Sequence, residues 1–182
     1  MPSTPKVGDV LGEFRLPGGQ LDGETFHRGD YSLHEQRGKP VVLAFYPGDD
    51  TPVCTAQLCS YSDGLEQLQS AGAVVWGISA QDVDSHERFA RSRQLRMPLL
   101  SDADRDVARS FGITAPLIGL RRSVFIVDVA RSFGITAPLI GLRRSVFIVD
   151  AAGRLHWKHV TAVGAPFPPA ATLAAQLATL PA

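Results

Sequence analysis

The chain has 182 residues, 45% of them hydrophobic and 20% charged, with 18 basic and 18 acidic side chains. That length suits a single domain, 1–182, with a sizeable core. Zero net charge argues against nucleic acid or an anionic membrane surface as a partner, and no apolar run reaches spanning length. The opening MPSTPKVGDV carries no secretory pattern, so a cytoplasmic protein is expected. The chain has two cysteines. In a reducing compartment such a pair points to transient redox chemistry and not to a permanent staple. The histidines do not cluster with the cysteines in sequence, and no metal or organic cofactor is expected.

In chain order, Phe14 to Leu16 and Glu24 to His27 read as short strands around a Pro-Gly-Gly turn in LPGGQLDG. SLHEQRGK reads as one helical turn ending at Gly38. PVVLAFYP is a continuous apolar run of strand length, expected to be a central strand buried on both faces. Thr51 then caps a helix with Pro52 in its first turn; Leu58, Leu65 and Leu68 continue it with helical spacing, and Gly72 ends it. AVVWGIS is a second buried strand. DVDSHERFARSRQL is a helix with an acidic start and a basic end, which complements its dipole. PLLSD is a strand, DADRDVARSFG a helix stopped by Gly112, SVFIVD-AAG-RLHWKHV a hairpin, and PAATLAAQLATL a last helix. Alternating strands and helices that end in a hairpin predict an α/β layer fold with a mixed central sheet.

One block breaks the pattern. VARSFGITAPLIGLRRSVFIVD occurs twice without a difference, as Val107 to Asp128 and Val129 to Asp150. The unit is a helix, a loop and a strand. Two copies are too few for a solenoid. The surplus copy is apolar, and it is expected to pack as an added edge element or to mediate self-association.

The chemistry concentrates in YPGDDTPVCTAQLC, which holds both Cys54 and Cys59. Cys54 falls in the first turn of the predicted helix, where unpaired backbone N–H groups and the helix dipole favour a thiolate. Thr51 sits one turn earlier, placed to donate a hydrogen bond to a substrate or to the sulfur. Pro47 and Pro52 stiffen the loop and shield the sulfur. The opposing reading is that Cys54 is a small core residue.

FYPGDDTPVCTAQLC resembles the active-site segment of the peroxiredoxins, in which Pro, Thr and a reactive Cys follow a strand as P-x-x-x-T-x-x-C. The second cysteine five residues on is similar to the bacterioferritin comigratory protein, or peroxiredoxin Q, subgroup. VGDVLGEFRLP, GKPVVLAFYP, VVWGIS, PLLSD and RSVFIVDAAGRL look like family segments in family order. The resemblance implies a thioredoxin-like fold. It also implies a thiol peroxidase that reduces hydrogen peroxide and organic hydroperoxides without a cofactor. Cys54 would be oxidised to a sulfenic acid in a pocket lined by Pro47, Thr51 and an arginine. Cys59 would then form a disulfide with Cys54, and a thioredoxin-like partner would reduce it. On an intact helix residues five apart have Cα atoms about 8–9 Å apart, and a disulfide needs less than about 7 Å. That bond therefore requires the helix to unwind locally.

In the family the arginine directly precedes the strand resembling SVFIVD. The duplication offers two, Arg122 and Arg144. Only the second copy runs straight into the tight turn and its antiparallel partner, so Arg144 is favoured. Two rival functions stand beside the peroxidase. A thiol–disulfide oxidoreductase would ordinarily use a Cys-x-x-Cys pair. A non-enzymatic redox sensor or binding protein would result if the duplication had disrupted the site. A monomer or homodimer is expected.

Overall fold

The computed structural model describes residues 4–114, 144–160 and 166–180. A seven-stranded mixed sheet organises them, in the order β2-β1-β5-β4-β3-β6-β7. The strands are β1 (Arg15–Asp22), β2 (Thr25–Ser32), β3 (Val41–Phe45), β4 (Val74–Ser79), β5 (Leu99–Ser101), β6 (Ser145–Val149) and β7 (Leu155–Val160). The helices are α1 (Pro52–Asp63), α2 (Leu65–Ser70), α3 (Val83–Arg93), α4 (Asp106–Ser110) and α5 (Ala170–Leu177), with a 3₁₀ turn at His34–Gln36.

The central strand behaves as its composition demands. All five residues of β3 are buried, because both faces of the sheet are covered. Side chains alternate between two cores. Val42 and Ala44 join Val75, Val146 and Ile148 under α1, α2, α3 and α5. Val41, Leu43 and Phe45 join Trp76, Ile78 and Phe147 on the opposite face, covered by Val107, Ala108 and Phe111 in and after α4. There Phe45, Phe111 and Phe147 form an aromatic trio with centroids 4.8 to 5.8 Å apart. Each such pair contributes about 0.5–1.5 kcal/mol beyond its buried area.

Two expectations are corrected. The Pro-Gly-Gly stretch is not a turn: Pro17, Gly18 and Gly19 lie inside β1, and the hairpin turns at Gly23, whose φ is +57°. A Cβ on Gly18 would lie 2.5 Å from the Leu99 carbonyl oxygen, and one on Gly19 would lie 2.2 Å from the Phe26 ring. The two glycines serve close strand and ring approach, not reversal. The single helix expected up to Gly72 is two helices, α1 and α2, separated at Gly64. A Cβ on Gly64 would meet Ala170 Cβ at 2.6 Å. The break is therefore where the first residue of α5 presses on the α1–α2 joint.

The duplicated block contributes from both copies. Val107 to Ser110 of α4 belong to the first copy, and β6 belongs to the second. The surplus segment between them, with the expectation that it packs as an edge or mediates self-association, lies outside the described residues.

Candidate active site

The site gathers at one end of the sheet because of strand direction. β3 runs parallel to β4, and β4 parallel to β5, so all three end on the same side. β6 is antiparallel to β3 with Ser145 opposite Phe45. The start of β6 therefore lies beside the end of β3, which brings residue 144 next to the loop from Tyr46 to Thr51. Crevices beyond the carboxyl ends of parallel strands are the usual ligand sites of open α/β sheets.

Cys54 is the third residue of α1 and is fully buried. Thr51 occupies the N-cap with extended backbone (φ −81°, ψ 139°), and Pro52 follows at the first helical position. Pro52 loses nothing there, since that N–H has no helical partner. The Thr51 hydroxyl does not cap the helix. It donates to the Gly48 carbonyl at 3.4 Å, which ties the loop to itself. Pro47 is half-buried in the same loop.

Arg144 Nη2 donates to Cys54 Sγ at 3.5 Å. A guanidinium has only donors to offer, so the sulfur is the acceptor. That contact and the helix N-terminus both favour negative charge on the sulfur. Arg144 also acts on Tyr61 of α1. Burial pushes the Tyr61 phenol well above the usual tyrosine range, with the Gln57 hydrogen bond and the Arg144 charge pulling against it. Tyr61 stays protonated and donates to the Pro168 carbonyl at 2.8 Å. This fastens the segment before α5 beside the site. Arg122, the alternative in the first copy, lies outside the described residues.

Cys59 is in the same helix, half-buried and unbonded. Burial and the Asp63 carboxylate push its thiol above the usual cysteine range, while the Arg93 charge opposes them. Both thiols are free, with α1 continuous from Pro52 to Asp63.

The sequence reading missed the residues that hold the loop. Asp49 is buried and accepts from the Tyr46 hydroxyl at 2.8 Å and the Ser85 hydroxyl at 2.7 Å. His86 Nδ1 lies 3.0 Å from the same carboxylate. Burial, the Asp49 charge and its hydrogen bond keep the Tyr46 phenol far above its usual range, with Cys54 adding to the effect. The signal for His86 lay in helical spacing: it shares the buried face of α3 with Phe89 and Ala90. Two surface clefts of about 420 and 410 Å³, one beside Gln20, His27 and Arg96 and one beside Asp9, Ser110 and Phe111, do not include Cys54. The described residues hold no cluster of metal-ligating side chains.

Residues 7–158 match the AhpC/TSA family. The chain belongs to that family. It is similar to the chloroplastic peroxiredoxin Q of Gentiana triflora, with 44% identity over 99 residues, covering 53% of this chain and 46% of the relative. It is 39% identical over 130 residues to peroxiredoxin bcp of Coxiella burnetii, covering 68% of this chain and 82% of that one. Its fold is similar to that of the peroxidoxin BcpB of Mycobacterium tuberculosis, at 28% identity and a TM-score of 0.70, covering 97% and 99% of the two chains. The chain spans about half the length of the plant relatives it matches. As a peroxiredoxin of the peroxiredoxin Q and bcp type it has the thioredoxin-like fold that its sequence resembles, with a mixed sheet between helices.

Proposed function

We propose that this peroxiredoxin is a thiol-dependent peroxidase acting on hydrogen peroxide and organic hydroperoxides in the cytoplasm, with a thioredoxin-like dithiol as reductant. The observation that carries the reading is the Arg144 guanidinium on the sulfur of a fully buried Cys54 at a helix start. A buried structural cysteine has no use for a charged donor, whereas a nucleophilic thiolate does.

In the first step the Cys54 thiolate attacks one peroxide oxygen. The S–O bond forms as the O–O bond breaks, and the departing oxygen takes a proton and leaves as water or alcohol. Arg144 donates to the charge as it shifts from sulfur to oxygen. Thr51, whose hydroxyl donates to the Gly48 carbonyl at a long 3.4 Å, is placed to turn toward the peroxide. Cys54 is left as a sulfenic acid. In the second step α1 unwinds, the Cys59 sulfur bonds to the Cys54 sulfur, and the sulfenic oxygen leaves as water with the Cys59 proton. A dithiol partner then supplies two electrons by thiol–disulfide exchange.

Intact mass before and after one equivalent of hydrogen peroxide tests this reading. Loss of two hydrogens is the expected result, and the Cys54→Ser chain is expected to show no change. An unreacted wild-type chain would favour a non-enzymatic role. Insulin-disulfide reduction without peroxide consumption would favour the oxidoreductase reading.

A further inference from the structure

Asp49 is a buried acid in the loop that carries Pro47 and Thr51, and four contacts fix it. Its carboxylate accepts from Tyr46 at the end of β3 and from the Ser85 hydroxyl, and its two oxygens lie 3.0 and 3.2 Å from His86 Nδ1. Its backbone N–H donates to the Gln81 side-chain oxygen. The Asp49 and His86 side chains are 2% and 0% exposed, so water does not share these contacts. His86 in turn is tied to β5, because its Nε2 lies 3.1 Å from the Leu100 carbonyl oxygen. A carbonyl oxygen only accepts, so Nε2 carries a proton.

The loop is therefore clamped to α3 and β5 at Asp49, and beyond it the buried contacts give way to an exposed 4.0 Å pair between Asp50 and Arg93 of α3. The next residue, Asp50, has φ +56°, a left-handed conformation that non-glycine residues seldom adopt. Thr51 follows, and its carbonyl accepts the Thr55 N–H at 2.8 Å, the first bond of α1. A strained joint thus lies between a fixed loop and the helix that must unwind for Cys59 to reach Cys54.

We propose that Asp49, held by Ser85 and His86, is a positioning residue for the peroxide step, fixing the loop that sets Thr51 and Cys54 against Arg144 and leaving Asp50 as the joint about which α1 opens. The proposal rests on the peroxidase reading. It separates two steps that a general loss of stability would affect together. Removing the clamp slows attack on peroxide, which needs the assembled site. It does not slow disulfide formation, which needs α1 open.

Stopped-flow single turnover with hydrogen peroxide, following the peroxide step and the disulfide step separately, tests it. Asp49→Ala is expected to lower the peroxide step about ten- to a hundredfold, the scale of a small misplacement of reacting groups, with the disulfide step unchanged or faster. Asp49→Asn is expected to recover most of that loss. Its side-chain oxygen can still accept from Tyr46, and its amide can donate to a neutral His86 Nδ1 whose other nitrogen keeps the proton given to Leu100. If Asp49→Ala does not fold, Ser85→Ala removes one donor and leaves the buried pair intact, and a selective fall in the peroxide step is again expected. An unchanged peroxide step in the folded variant overturns the proposal. So does an equal fall in both steps that Asp49→Asn shares. A wild-type chain inert to peroxide sinks the peroxidase reading itself, and the positioning role with it.

Discussion

Cys54 is the third residue of α1, fully buried and facing Arg144, whereas Cys59, five residues on in the same helix, is half-buried and under the influence of Asp63 and Arg93. The two thiols share chemistry and secondary structure, yet their electrostatic surroundings oppose each other. Cys54 has a helix N-terminus and a guanidinium, both suited to a thiolate. Cys59 lies past the reach of the helix N-terminus, next to a carboxylate that disfavours negative charge. The difference assigns order to the proposed cycle. The sulfur that meets the helix N-terminus and the guanidinium attacks first, and the other waits until the helix opens and its surroundings change.

The largest expected effect separates the two sulfurs outright. Cys59→Ser should leave the peroxide step at its wild-type rate and abolish the intramolecular disulfide, so that intact mass shows an oxygen gained at Cys54. Loss of the first step in that variant would break the contrast. Next, Arg144→Ala removes the donor on the reacting sulfur, and the peroxide step measured by stopped flow should fall about a hundred- to a thousandfold, as for one oxyanion-type donor. Arg144→Lys should lie between, keeping the charge and losing the fork. Alkylation of Cys59 should be unaffected by either change. The smallest effect concerns Cys59 alone. Asp63→Asn removes a neighbouring negative charge, which lowers the thiol's pKa and raises its thiolate fraction at neutral pH. Iodoacetamide labelling of Cys59 at pH 7 should speed up about two- to threefold. A slower rate would mean that Asp63 does not govern this thiol.

Much of this site was legible in one dimension. The apolar run of β3, the Thr-Pro start of α1 and the placement of Cys54 in its first turn are local features, readable from neighbouring residues. Connectivity favours Arg144 over Arg122; Arg144 lies at the sulfur, and Arg122 is outside the described residues. Thr51 was read as a cap, but its hydroxyl turned to Gly48. The contacts of Asp49 were not legible, because its partners Ser85 and His86 come from a helix more than thirty positions later. His86, one of the histidines that do not cluster with the cysteines in sequence, is in the fold the link between a loop acid and β5.

The sequence by itself determined the alternation of strands and helices, the burial of β3 and the place of Cys54 in the first turn of α1, because hydrophobic period and capping chemistry act over a few residues. Only the tertiary structure decided that Gly18 and Gly19 belong to a strand, that α1 and α2 part at Gly64, and that Asp49 is clamped by His86. Each of these depends on which atoms meet across long stretches of chain: a Leu99 carbonyl over Gly18, the Ala170 methyl on Gly64, an imidazole on a buried carboxylate. Such contacts are set by strand order and helix packing, and no local pattern of residues encodes them.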